Sequence, residues 1–304
     1  MSRCRILGAF VIASTLCASC STGTADTSAT SVTSAQPRPV ASADGAERSE
    51  LTEHTAGAAS TGRPEVPGSD GIGRELRRIV DGAVAHHGGR AGMAVVSGGK
   101  VYSAGDPGHS AAWSTIKVPI AIAAYKAGTA EEDTARAAIT YSDNDASVEL
   151  WNSLGGTREA GAAVQEVLSA AGDPTDVARQ WGHSGDRVSF GEVSWPLSGQ
   201  ALFASHVRCI ESAQLVVDLM GEIAEDHKYG LGLLKGSAFK GGWGPDDEGV
   251  FTMRQLGVVD GVGIAMYVHP EDDTESGGRA MLDDMARGLR ELLAEGALRG
   301  GGSC

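Results

Sequence analysis

Ser114-Thr115-Ile116-Lys117 is the stretch on which the reading of this chain turns. A serine hydroxyl is a poor nucleophile at neutral pH. It needs a base within hydrogen-bond reach and donors that stabilise a developing oxyanion. Residues three apart on a helix share a face, so Ser114 and Lys117 point together if Ser114 opens a helix. Two further strings follow in order: Ser142-Asp143-Asn144 and Lys240-Gly241-Gly242. They would bring a second hydroxyl, an amide and a second ammonium to the same cleft. Each string alone reads as something plainer: a helix start, a turn or cap, a loose glycine loop.

The three strings together resemble the Ser-x-x-Lys, Ser-Asp-Asn and Lys-Thr-Gly set of class A β-lactamases and penicillin-binding proteins. Two match fully and the third with one change. The resemblance covers about residues 70–295. It implies an α+β fold of the β-lactamase/transpeptidase kind, an antiparallel sheet flanked by helices. It also implies roles. Ser114 is the nucleophile that forms an acyl-enzyme with a β-lactam or a D-alanyl peptide. Lys117 accepts its proton, and Ser142 relays one toward the leaving nitrogen. Asn144 binds substrate amide and Lys117, while Lys240 holds Ser142 and attracts a substrate carboxylate. The oxyanion donors are the backbone N–H groups of Ser114 and Trp243, the latter next to Gly242. Arg254 is a candidate second carboxylate anchor, equally readable as a surface arginine on a strand. Trp181 and Trp243 are candidates to flank the cleft, packing being the commoner reading for any single tryptophan.

The chain departs from that pattern in three places. The threonine of Lys-Thr-Gly is Gly241, which removes a hydroxyl that grips substrate carboxylate. The segment Gly172–Pro196 has no Glu-x-x-Leu-Asn, so the base that frees the acyl-enzyme has no assigned counterpart. Deacylation is then expected to be slow. Asp186 and Glu192 substitute for that base only if the loop folds them inward. Only 24 residues separate Lys117 from Ser142, so the helical subdomain is expected to be reduced and the cleft open. The alternative function is a non-catalytic cell-envelope lipoprotein that keeps the fold for binding.

Periodicity gives the rest of the layout. Ile72, Leu76, Ile79, Val80 and Ala83 predict a helix over 71–86. Apolar runs at 91–97 and 100–104 around Gly98-Gly99 predict a hairpin. A buried helix is expected over 115–127, with Pro119 early enough to be tolerated. Further helices are expected at 145–154, 158–171 and across 198–226 with a break near 209–212. Strands are expected at 239–242, 250–259 and 262–268, before a closing amphipathic helix marked by Met281, Leu282, Met285, Leu289 and Leu292.

The N-terminus reads as an export signal. Arg3 and Arg5 precede an apolar core, Ile6–Leu16, too short to span a bilayer. Residues 1–19 would be removed and Cys20 lipidated, anchoring the protein to the outer face of the cell membrane; a plain secretory signal is the alternative. Residues 20–69 are rich in Ser, Thr, Ala, Pro and Gly and read as a disordered tether, with a reach on the order of 40 Å. Residues 70–304 form the hydrolase domain. The formal charge of −14, without a basic run, argues against nucleic acid and leaves a small molecule or cell-wall peptide as substrate. Oligomeric state has no signature here. No cofactor is implied. The eight histidines, among them His86-His87, show no metal-binding spacing and read as surface residues. Of the five cysteines, Cys209 and Cys304 remain after the signal is removed, and an exported setting permits them to pair without requiring it.

Overall fold

A hairpin starts the sheet. β1 (Arg90–Ser97) and β2 (Lys100–Gly105) pair antiparallel through a turn in which Gly98 and Gly99 both have positive φ. That is the turn geometry matching strand twist that glycine adopts without strain. The computed structural model describes residues 69–108, 111–181, 190–246 and 249–301, all within Thr61–Cys304. The export signal, Cys20, the tether, Asp186 and Cys304 lie outside the described residues.

Before the hairpin comes α1 (Ser69–His87). After it a 3-10 turn, Trp113–Ile116, runs into α2 (Lys117–Ala127). Four more helices follow: α3 (Glu132–Thr140), α4 (Asn144–Ser153), α5 (Thr157–Ala170) and the single-turn α6 (Ala178–Trp181). Then come α7 (Leu197–His206) and α8 (Gln214–Met220), where one interrupted helix over 198–226 was expected. The chain returns through β3 (Ala238–Pro245), β4 (Phe251–Val259) and β5 (Val262–His269), and ends on α9 (Glu275–Ala294). The sheet order is β2-β1-β5-β4-β3, antiparallel throughout. First and last parts of the chain meet where β1 pairs with β5. This is the α+β architecture expected from the sequence.

β1, β4 and β5 are buried along nearly their whole length rather than at alternate residues, because helices cover both faces of the sheet. α1 and α9 pack together, and their apolar faces, including Leu76, Ile79, Met285 and Leu289, belong to the main core. α7 covers the other face, where Leu197 and Ala201 pack on Ala94, Val96, Ala265 and Tyr267. α2 has no polar face. It is buried from Lys117 to Ala124 and packs against α3, α4, α5 and α8. Between Lys117 and Ser142 stand only the rest of α2 and the short α3, in keeping with a reduced helical subdomain. α3 was not expected, although Ala135, Ala138 and Ile139 make a short buried stripe at helical spacing.

Cys209 is disulfide-bonded, and the other four cysteines lie outside the described residues. No helix among the described residues is long and apolar enough to cross a membrane.

α7 can lie close to β5 because Gly263 has no side chain. A Cβ there would stand 2.1 Å from Ala201 O and 2.4 Å from Ser205 N. Both are backbone atoms, so relief requires moving the helix. Gly263→Ala is expected to cost about 1–3 kcal/mol. Gly82, on the exposed side of α1, has nothing within 4 Å of that position, so Gly82→Ala should stabilise by about 0.5–1 kcal/mol. Urea denaturation followed by circular dichroism measures both, and equal effects of the two would contradict this packing.

Candidate active site

Ser114 sits in the 3-10 turn that feeds α2, and Lys117 opens the α-helix proper. The preceding residue, Trp113, has φ 49° and Ser142 has φ 60°. Left-handed backbone in non-glycine residues costs of order 1–3 kcal/mol and persists only where the surroundings impose it. At Ser142 the surroundings are a cap and a cation. Asp143 is the N-cap of α4, its Oδ1 accepting from Ala146 N at 2.7 Å, which braces the loop and turns that carboxylate away from the cleft. The Ser142 carbonyl accepts from Lys117 Nζ at 2.6 Å.

Lys117 is 2% exposed. Its ammonium also donates to Asn144 Oδ1 at 2.7 Å and Asp143 O at 3.2 Å, with Ser142 Oγ at 3.5 Å. Lys240 also reaches Ser142. It donates to Ser142 Oγ at 2.9 Å and to Gly241 O at 2.9 Å. Two ammonium groups therefore flank one hydroxyl. Burial lowers the Lys117 pKa to about 8, with Asp143 opposing. Burial lowers that of Lys240 well below its ordinary value, and the charge on Lys117 lowers it further.

Ser114, Lys117 and Asn144 line one cavity of about 600 Å³ with Trp113, Val148, Phe190, Gly191, Glu192, Trp243, Gly244 and Pro245. The partners of Lys117 all lie on the Ser142–Asn144 loop; Ser114 shares the cavity wall without being bonded to it. β3 closes over the serine turn because it carries glycine. A Cβ on Gly242 would lie 2.6 Å from Ser114 N, and one on Gly244 would lie 2.8 Å from the Trp113 ring. Trp113 Nε1 donates to Thr252 Oγ1 at 3.0 Å, fixing the ring across β3 to β4.

Arg254 is not brought to the cavity. It is fully buried and donates to Trp195 O at 2.8 Å and Gly108 O at 2.7 Å. It sits opposite Gly242 in the sheet register and ties down the segments before α7 and before the serine turn. The expectation of a carboxylate anchor is corrected to that of a brace. Trp181 is likewise a core residue, 3% exposed and edge-on to Trp151 with centroids 4.6 Å apart, whereas Trp243 does line the cavity. Glu192 also lines it and is exposed. Asp173 does not: it is buried and accepts from Trp195 Nε1 at 2.6 Å.

Two residues at the site carried no sequence signal. The Tyr229 hydroxyl lies 3.4 Å from the place a Cβ of Gly241 would occupy, and burial raises its pKa well above the ordinary value. His227 stands edge-on to Trp243, with centroids 5.1 Å apart. Burial lowers its pKa, Asp226 opposes, and the charges of Lys240 and Arg279 lower it further. Both residues come from the short turns between α8 and β3, which have no periodicity to place them.

No protein-family model and no curated protein matches the chain by sequence. Solved structures match it by fold. The TLA-3 extended-spectrum β-lactamase superposes with a TM-score of 0.56 at 15% identity, covering 72% of this chain and 98% of its own. A β-lactamase from Chitinophaga pinensis gives 0.55 at 18%, covering 72% and 99%. A variant of the class A β-lactamase of the last common ancestor of Gram-negative bacteria gives 0.53 at 18%, covering 73% and 99%. The described domain has the class A serine β-lactamase fold.

Two outcomes follow from this geometry. A lysine serves as a base only after losing its proton, and the neutral fraction rises with pH through the pKa. Reactivity of Ser114 toward an electrophilic probe should therefore increase through about pH 8 and level off above it. A rate profile flat from pH 6.5 to 9.5 would exclude Lys117 as the base. Gly242→Ala should push β3 off the Ser114 turn and slow that reaction by about a hundredfold, with the far-ultraviolet circular dichroism unchanged.

Proposed function

We propose that this protein is an exported serine hydrolase that forms an acyl-enzyme on Ser114 with a β-lactam or a D-alanyl peptide-like substrate. The observation that carries this reading is the convergence of Lys117 and Lys240 on Ser142 Oγ beside a cavity that Ser114 lines. A pure binding module has no use for two buried, desolvated amines around a hydroxyl. Perturbed amines in a cleft are what proton transfer at neutral pH needs.

In this reading the neutral Lys117 amine takes the Ser114 proton as Oγ attacks the substrate carbonyl. The negative charge on the carbonyl oxygen is met by backbone N–H groups of Ser114 and of Trp243 on the edge strand. Ser142, held by Lys240, passes a proton to the departing nitrogen. The acyl group then stays on Ser114. Glu192 is the carboxylate among the described lining residues, and its exposure to water makes it a poor general base. Hydrolysis of the acyl-enzyme is slow. Trp113, Phe190, Val148, Trp243 and Pro245 give the cavity an apolar wall, which suits an acyl donor with an aromatic or aliphatic side group. The N-terminal features add that the chain is lipidated at Cys20 and held at the membrane's outer face.

Intact-mass spectrometry of the full chain with a panel of penicillins, cephalosporins and a D-alanyl thioester tests this. The expected result is one adduct per chain, absent from Ser114→Ala and persisting over hours. Glu192→Gln should lengthen the adduct's life further if Glu192 supplies the residual turnover. No adduct with any member of the panel would leave the non-catalytic lipoprotein as the better reading.

A further inference from the structure

α1 ends in two consecutive histidines whose rings converge on one carboxylate of α9. His86 Nδ1 lies 2.9 Å from Asp284 Oδ2, and His87 Nε2 lies 2.7 Å from the same oxygen. The three atoms all fall within 4.8 Å of one another. Neighbouring positions on an α-helix point to different sides, so helical geometry alone would send these rings apart. Instead their centroids are 4.4 Å apart, with the planes tilted by 35°. One ring presents Nδ1 and the other Nε2, the use of nitrogens that lets adjacent residues meet at a point. His87 is half-buried, while His86 is exposed.

The surroundings suit a cation. The C-terminal carbonyls of α1 lie at this end of the helix and carry partial negative charge. The Glu271 carboxylate packs against Gly88, the residue after His87. Arg287 holds Asp284 Oδ1. Its charge opposes a bound cation, but it also fixes the carboxylate plane and leaves Oδ2 facing the histidines, as outer partners of metal ligands do.

We propose that His86, His87 and Asp284 form a binding site for a divalent transition-metal ion of the zinc type, clamping the first helix of the domain to the last. Two imidazoles and a carboxylate, with water as fourth ligand, match the donors and coordination number of such an ion. Magnesium and calcium prefer all-oxygen sets and should not compete. Ligands about 2.0–2.2 Å from a tetrahedral ion stand about 3.3 Å apart. Each ring must therefore move from Asp284 Oδ2 by about half an ångström, the exposed His86 by turning and His87 by a shift against the Asp284 side chain. None of the three residues lines the Ser114 cavity.

The test is calorimetric titration of the chelator-stripped full chain with zinc chloride, beside thermal unfolding with and without the metal and with magnesium as control. The expected result is one zinc per chain with micromolar affinity and a raised melting temperature, and no response to magnesium. His86→Ala and Asp284→Asn should each weaken zinc binding at least about tenfold and remove the thermal shift. His86→Ala changes an exposed side chain, so its fold is expected to survive even if Asp284→Asn loosens the helix pair. No saturable binding at 100-fold excess zinc, an equal response to magnesium, or unchanged affinity in His86→Ala would overturn the assignment. Acylation of Ser114 should be the same with and without zinc.

Discussion

Two buried ammonium groups around the hydroxyl of Ser142 are the constraint on which the rest of this structure depends. An ammonium removed from water must find acceptors or lose its proton. Lys117 finds them in the Ser142 and Asp143 carbonyls and the Asn144 amide, Lys240 in Ser142 Oγ and the Gly241 carbonyl. These acceptors sit on a loop and an edge strand that have no other reason to meet. The left-handed backbone at Ser142 and the Asp143 cap belong to the same loop, whose carbonyls face Lys117. The arrangement is weak as a source of stability, since each amine costs desolvation. It makes sense as chemistry, where a lysine that gives up its proton near pH 8 is useful.

Close approach of backbone to backbone completes the site. Gly242 and Gly244 let β3 ride over the Trp113–Ser114 turn. Arg254, opposite Gly242, pins the segment before that turn and the segment before α7 through the carbonyls of Gly108 and Trp195. Had Arg254 reached into the cavity, the chain entering Ser114 would have lost that brace.

The α+β layout was legible because the hairpin and the outer helices announce themselves locally, by Gly98-Gly99 and by apolar faces at helical spacing. The three short strings pointed to Ser114, Lys117, Ser142, Asn144 and Lys240 through a resemblance, and the structure sets four of these in hydrogen-bond contact. β3 was read as ending at Gly242 because its Trp243-Gly244-Pro245 end has the composition of a loop; it is a strand only because β4 pairs with it. The surroundings of Arg254 and Trp181 were not legible for a different reason. Strand and helix patterns say that a side chain is present, and only tertiary packing says which neighbours it meets. His227 and Tyr229 were invisible on the same ground, since they arrive from aperiodic turns.

Gly241 shows how such an arrival changes the meaning of a motif. Read alone, it is a lost threonine hydroxyl. In the fold, the space beside it already holds the phenolic oxygen of Tyr229, 3.4 Å from where a Cβ would stand. A Cβ there would make an ordinary van der Waals contact with that oxygen. Burial keeps the phenol protonated across the working range, so the strand that lacks a hydroxyl of its own still has one against it. The glycine of the third string and the tyrosine from the preceding turn are thus neighbours in the fold, a proximity the motif alone does not show.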